Sequence, residues 1–144
     1  MFSASQSFAP GIWLNNMNGY IVNIEKETLQ NTDYRRVLYT SKHSQLVLMN
    51  LQPREEIGME VHRLDQFIRI EQGSAKAILD GIEHDVKEDF AIVVPAGTKH
   101  NFINTGSNEL KLYTIYSPPE HKDGIVEPTK EDEIEERFDG MTTE

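Results

Sequence analysis

Pro95-Ala96-Gly97-Thr98-Lys99-His100-Asn101-Phe102-Ile103-Asn104 is the stretch on which the reading of this chain turns. Pro95-Ala96-Gly97 is a turn signal, because proline presets one backbone angle and glycine tolerates the left-handed region. After it the residues alternate in character. On an extended strand His100, Phe102 and Asn104 share one face, and Lys99 and Ile103 share the other. A turn that delivers an imidazole onto the first position of a half-apolar strand places a chemically active group at one end of a sheet.

Working outward, the chain from Tyr20 to Ser117 reads as short strands between turns. The expected strands are Tyr20–Ile24, Tyr34–Thr40, Gln45–Leu51, Met59–Arg63, Phe67–Gln72, Ala75–Leu79, Glu83–Val86, Ala91–Val94, His100–Asn104 and Leu110–Tyr116. They are rich in β-branched and aromatic residues, and many alternate with polar ones. Asp80-Gly81 is a hairpin turn signal, and Thr105-Gly106-Ser107-Asn108 marks another turn. Regular short strands at this spacing imply an all-β barrel or sandwich. Two helices are expected, a short one over Glu25–Gln30 and a C-terminal one over Thr129–Phe138, capped by Thr129 with acidic residues in its first turn.

A second chemistry-bearing stretch is Gly58-Met59-Glu60-Val61-His62. On a strand Glu60 and His62 share a face opposite Met59 and Val61. If that face is the inside of a barrel, the carboxylate needs a compensating partner, and a divalent metal is one. Asp65-Gln66-Phe67-Ile68 follows, with Gln66 on the face of Ile68. Four candidate metal ligands result: Glu60, His62, Gln66 and His100. Two imidazoles, one carboxylate and one amide carbonyl suit Zn, Fe, Mn, Ni or Co. The bare Glu-x-His spacing is unspecific, and a satisfied polar pair explains it equally well.

The two stretches together resemble the cupin superfamily. Its second motif is Gly, five residues, Pro-x-Gly, two residues, His, three residues, Asn, and Pro95, Gly97, His100 and Asn104 match it at every spacing. In its first motif, His-x-His followed by Glu and a closing Gly, the second His falls on His62 and the closing Gly on Gly73. Glu60 stands at the first His, Gln66 at the Glu, and Asp89 at the leading Gly of the second motif. The likeness implies a cupin double-stranded β-helix, a jelly-roll-like barrel over residues 17–126. A 1–16 extension precedes it, and an acidic helix or tail over 127–144 follows. The Glu60/Gln66 combination is similar to a subgroup often labelled mannose-6-phosphate isomerase-like. The zinc site of those isomerases also uses two His, one Glu and one Gln. The same set is close to the two-His-one-carboxylate arrangement of Fe(II) oxygenases. The resemblance therefore implies a metal-dependent small-molecule enzyme, sugar isomerase-like, with a dioxygenase or a non-catalytic ligand-binding cupin as alternatives.

Around the metal, Phe102, Tyr113 and Tyr116 are the candidates for the substrate pocket. Tyr113 and Tyr116 lie on opposite faces of their strand, so at most one looks inward. His121, just after the barrel, is expected in an exposed loop, although it can also reach the barrel mouth. No second carboxylate base is identifiable. Lys76, Lys87, Lys99, Arg63 and Arg69 form no inward phosphate clamp, which argues against a phosphorylated substrate.

Composition narrows the partners. The 144 residues include 38% hydrophobic ones, enough for one core. With 14 basic and 24 acidic residues the net charge is −10, unsuited to nucleic acid or an anionic membrane. Residues 127–144 alone carry eight carboxylates and two bases. There is no cysteine, which removes disulfides, thiolate ligands and thiol nucleophiles. No apolar run is long enough for a membrane span, and the N-terminus does not read as a signal peptide, so a cytoplasmic location is expected. Residues 1–16 read as an extension, with Met17 as an alternative start and Trp13 as a residue that can dock on the domain or a partner. Outward-facing Met59, Val61 and Ile103 need cover, which favours a homodimer.

Overall fold

The computed structural model describes residues 18–134 and 136–144. The expected extension over 1–16, with Trp13 and Met17, lies outside the described residues. Helix α1 (Ile24–Gln30) is followed by nine strands. These are β1 (Arg35–Thr40), β2 (Gln45–Leu51), β3 (Asp65–Gln72), β4 (Ser74–Leu79), β5 (Ile82–Lys87), β6 (Ala91–Val94), β7 (His100–Asn104), β8 (Leu110–Ser117) and β9 (Val126–Glu127). They form a six-stranded antiparallel sheet in the order β6-β3-β8-β2-β1-β9 and a three-stranded sheet β5-β4-β7. Two facing antiparallel sheets are the all-β architecture that the alternating pattern implies. Among the described residues no helix is long and apolar enough to cross a membrane.

The core lies between the sheets. Val47, Met49 and Leu51 from β2, Ile68 and Ile70 from β3, and Leu110 and Leu112 from β8 meet Ala75, Ala77 and Phe102 from the smaller sheet. Each set recurs every second residue, as inward faces of pleated strands must. The β4–β5 hairpin closes through Asp80 and Gly81, at φ 49° and 83°. Two consecutive left-handed residues match the strand twist, which is why an Asp-Gly pair stands there.

Local competition moved several boundaries. Tyr20–Ile24 is not a strand. The Asn23 side chain accepts from Lys26 N and starts α1, while Tyr20 stacks on Tyr39 at 5.3 Å. Met59–Arg63 is reduced to a single bridge, Glu60 to His100, because Gly58 at φ 108° turns the chain and the Asn101 side chain takes its N–H. The C-terminal helix shrinks to a 3-10 turn, Lys130–Asp132, with the Thr129 cap in place. Beyond it Glu133 is extended, and the backbones of Glu136 and Phe138 bond back to Lys122 and Glu120. Glu127 and Glu133 are both drawn to the buried Arg35, and Thr143 is tied to Thr40 at the end of β1.

Gly73 and Asp89 show what these turns require. Gly73 sits at φ 100°, and a Cβ there would lie 3.0 Å from the Glu109 carbonyl oxygen. Gly73→Ala is therefore expected to cost about 2 kcal/mol in chemical denaturation. Asp89 holds φ 72°, a conformation that glycine adopts without penalty. Its bond to Arg69 is exposed and contributes little. Asp89→Gly is expected to be at least as stable as wild type; a clear loss of midpoint would show that the side chain does more than occupy the turn.

Candidate metal site and its closing segment

Glu60 and His62 are carried by the extended stretch that flanks β7. Glu60 N donates to His100 O at 2.8 Å, and His100 N to Glu60 O at 2.9 Å. Gly97 N donates to His62 O at 2.8 Å, so the motif turn also anchors the second imidazole. His100 opens β7, and Gln66 is the second residue of β3 with its side chain buried. Ligand atoms of Glu60, His62 and His100 all lie within 4.8 Å of one another. Ligands about 2.0–2.2 Å from one shared ion need a similar spread.

The remaining polar atoms of these side chains are committed elsewhere. His100 Nδ1 lies 2.8 Å from Thr98 O. A carbonyl only accepts, so the proton sits on Nδ1 and Nε2 offers its lone pair. Gln66 Nε2 donates to Thr114 Oγ1 at 3.0 Å, which leaves the amide oxygen free. His62 Nε2, His100 Nε2 and Gln66 Oε1 are all buried without a hydrogen-bond partner. Buried polar groups seldom go unpaired. His62 Nε2 is 3.2 Å from Glu60 Oε1, yet it is not aligned for a hydrogen bond. Two imidazole nitrogens, an amide oxygen and a carboxylate suit a divalent transition metal, and such an ion would satisfy all of them.

The electrostatics agree. Burial raises the Glu60 pKa, but His62, Arg35 and His100 outweigh it and hold the carboxyl below its ordinary value. Burial lowers His100, which keeps it neutral and able to ligate. Burial also holds the Tyr116 phenol well above its usual range.

Of the pocket candidates, Phe102 and Tyr116 are at the site. The Phe102 ring is 6.0 Å from that of His100, and Tyr116 packs edge-on to His62 at 6.0 Å. Tyr113 is on the opposite face of β8, against Phe67, and lines no part of the site. Asn104 ties down backbone, donating to Leu51 O and Asn108 O. His121 corrects the expectation of an exposed loop. Its ring packs edge-on to Tyr116 at 5.1 Å, and its Nε2 is buried without a partner. Buried Gln45 fixes this geometry, donating to His121 O and accepting from the backbone N–H groups of Glu120 and His121.

Two site residues escaped the sequence reading. Arg35 is buried, pairing with Glu127 at 2.6 Å and Glu133 at 3.1 Å. Its place on the face of Val37 was the available signal. Glu120 places a second carboxylate next to His62, with Oε2 3.6 Å from His62 Nδ1 and ion-paired to Arg137. Nothing in its local pattern marks it. Arg35, Glu60, Glu120, His121, Glu133 and Arg137 border a small, partly open cleft of about 10 Å³. A larger groove of about 630 Å³ lies at the other end of β3 and β8, around Gln52, Gln72 and Glu109. It is open and holds none of the imidazoles.

Comparison with known proteins gives the same answer. The family model described as a cupin domain matches residues 47–116. An uncharacterized protein of Acanthamoeba polyphaga mimivirus is 50% identical over 113 residues, 75% of this chain and 71% of that protein. This chain belongs to the cupin family. The uncharacterized protein YrkC of Bacillus subtilis is 48% identical over 122 residues, covering 80% of this cupin. The chain spans 66% of YrkC, just under two thirds of its length. The crystal structure of BH2720 from Bacillus halodurans superposes with a TM-score of 0.79 at 44% identity, covering 81% of this chain and 94% of that one. An RmlC-like cupin from Shewanella frigidimarina, at 19% identity, shares the fold with a TM-score of 0.54 over 58% of this chain and 74% of that one.

His121 gives this cupin a specific pH response. Burial, helped by Arg35 and His62, pushes its imidazole down to about 3. The unfolded chain titrates near 6.5, so it binds the proton first as pH falls. Stability from the neutral ring is complete above about 6.5 and is lost progressively toward pH 3. Between pH 7.5 and 5.0 the metal-free wild type is expected to lose on the order of 2 kcal/mol more than His121→Gln in denaturant titrations. Equal losses would place the response in other groups.

Proposed function

We propose that this cupin is a metal-dependent enzyme acting on a small oxygen-bearing molecule, sugar-like or keto-acid in character. The observation that carries the reading is the set of buried, unpartnered atoms, His62 Nε2, His100 Nε2 and Gln66 Oε1, beside the Glu60 carboxylate. These four residues would hold one divalent ion, and Glu60 would leave it a net charge of about +1. A bound ion supplies Lewis acidity toward a carbonyl or hydroxyl oxygen. Thr98 and Thr114 keep His100 and Gln66 turned inward, so little reorganisation accompanies binding. His121, neutral at pH 7, accepts a hydrogen bond from a substrate hydroxyl, and the apolar faces of Phe102 and Tyr116 restrict access of water.

His121, a ring nitrogen buried without a partner next to Tyr116, favours isomerase-like chemistry, since proton relocation needs a group that can accept and return a proton. The two-His-one-carboxylate core favours the second reading, an Fe(II) dioxygenase. Elemental analysis of tag-free protein tests both. About one metal per chain is expected in wild type, falling to background in His62→Ala and His100→Ala. Zinc or manganese without O₂ uptake supports the isomerase; iron with O₂ uptake moves the assignment to the dioxygenase. Protein that stays metal-free after reconstitution would sink both and leave a ligand-binding barrel.

A homodimer belongs to the same reading. Met59 and Val61, on the outward side of the ligand-bearing stretch, are 49% and 60% exposed. Sedimentation velocity at micromolar concentration is expected to give a dimer that Val61→Lys weakens; a wild-type monomer would remove this element.

A further inference from the structure

The family model ends at residue 116, yet the chain beyond it reaches back into the site. We infer that Glu120 is a positioning residue for metal binding, accepting the Nδ1 proton of His62 so that Nε2 presents its lone pair to the ion. The inference rests on the metal reading above and deepens it.

His62 Nε2 points at the Glu60 carboxylate and His100. To ligate from Nε2, a neutral imidazole must carry its proton on Nδ1, and that proton needs an acceptor. His100 has one in Thr98 O. For His62 the group in place is Glu120 Oε2 at 3.6 Å, longer than a hydrogen bond but within ion-pair range. Both side chains are buried, at 7% and 10% exposure, so the contact is shielded from solvent. The position is built, not incidental. Gln45, itself buried, takes both backbone N–H groups of the Glu120–His121 turn and donates to the His121 carbonyl. Arg137 ion-pairs with the same Oε2 that faces His62. The guanidinium therefore competes with His62 for that oxygen. A carboxylate behind a metal-bound imidazole fixes its tautomer and orientation and raises its basicity.

Cobalt(II) titration of the full metal-free chain, read by the d–d absorption band, tests this without any substrate. Glu120→Gln is expected to bind Co²⁺ about 10–100-fold more weakly than wild type. Glu120→Asp, which keeps the charge, should lose less. Glu131→Gln makes the same charge change at an exposed position and should match wild type. Arg137→Gln separates positioning from mere closure of the segment. It frees the carboxylate, so affinity should hold or rise, whereas a structural role predicts a loss like that of Glu120→Gln. A loss under about fivefold in Glu120→Gln, or an equal loss in Arg137→Gln, would overturn the inference. In that event His62→Ala and His100→Ala should still abolish binding, and the metal reading would stand. If those two variants bind Co²⁺ as wild type does, or wild type binds none, the metal reading fails and this inference with it.

Discussion

A carboxylate and two imidazoles whose ligand atoms lie within 4.8 Å of one another are the constraint around which the site is built. Burial strips His62 Nε2 and His100 Nε2 of hydrogen-bonding water, while the Glu60 side chain stays 34% exposed. The surrounding structure shows how the cluster is held. Glu60 and His100 bind each other's backbone, so their side chains cannot drift apart without breaking two hydrogen bonds. Thr98 and Thr114 occupy the far sides of His100 and Gln66. Arg35 helps keep Glu60 ionised from outside the cluster. Such preorganisation gathers the donor atoms at one point, where a cation would bind with little rearrangement.

Arg35 also explains the shape of the C-terminal segment. The run of acids after Thr129 has a helix-like beginning, and isolated it would be a solvated helix. A buried guanidinium cannot be left uncompensated, because breaking a buried pair costs several kcal/mol. Glu127 reaches Arg35 from β9, and Glu133 reaches it from beyond the 3-10 turn. Glu127 also accepts from Ile134 N, which fixes the chain in an extended course. The acidic composition that looks like surface solvation in the sequence is thus partly spent inside, neutralising one arginine.

This contrast separates what the sequence discloses from what it hides. Strands β2, β6 and β7 keep the bounds the sequence implies; β6 buries one face in strict alternation, whereas β2 and β7 are buried on nearly every residue. Gln66 and His100 are buried on β3 and β7, whereas His62 is buried on an extended stretch outside any strand, where parity alone does not decide its face. Asp89 departs from the motif glycine yet keeps its left-handed backbone, so the family pattern survives the substitution. The losses have local and distant causes. Tyr20–Ile24 has strand composition, but one Asn23 cap and a stacking contact with Tyr39 decide otherwise. Glu120 and His121 owe their inward placement to Gln45, about 75 residues away in sequence. No periodicity records a partner at that distance.

The small cleft beside Arg35, Glu60, Glu120 and His121 sets the remaining constraint on function. It offers far less room than a sugar-sized ligand needs. The segment beside it is tied down at several points: by the Arg35–Glu133 and Arg137–Glu120 ion pairs, and by hydrogen bonds from Ile134 N to Glu127, Phe138 N to Glu120 O and Thr143 N to Thr40 O. Arg35 is buried, so parting it from its carboxylates is costly. Gln45 holds the Glu120–His121 turn from inside the barrel, and β9 is locked into the sheet beside β1. The side chains next to the candidate ligands are therefore held by both the barrel and the chain that follows it.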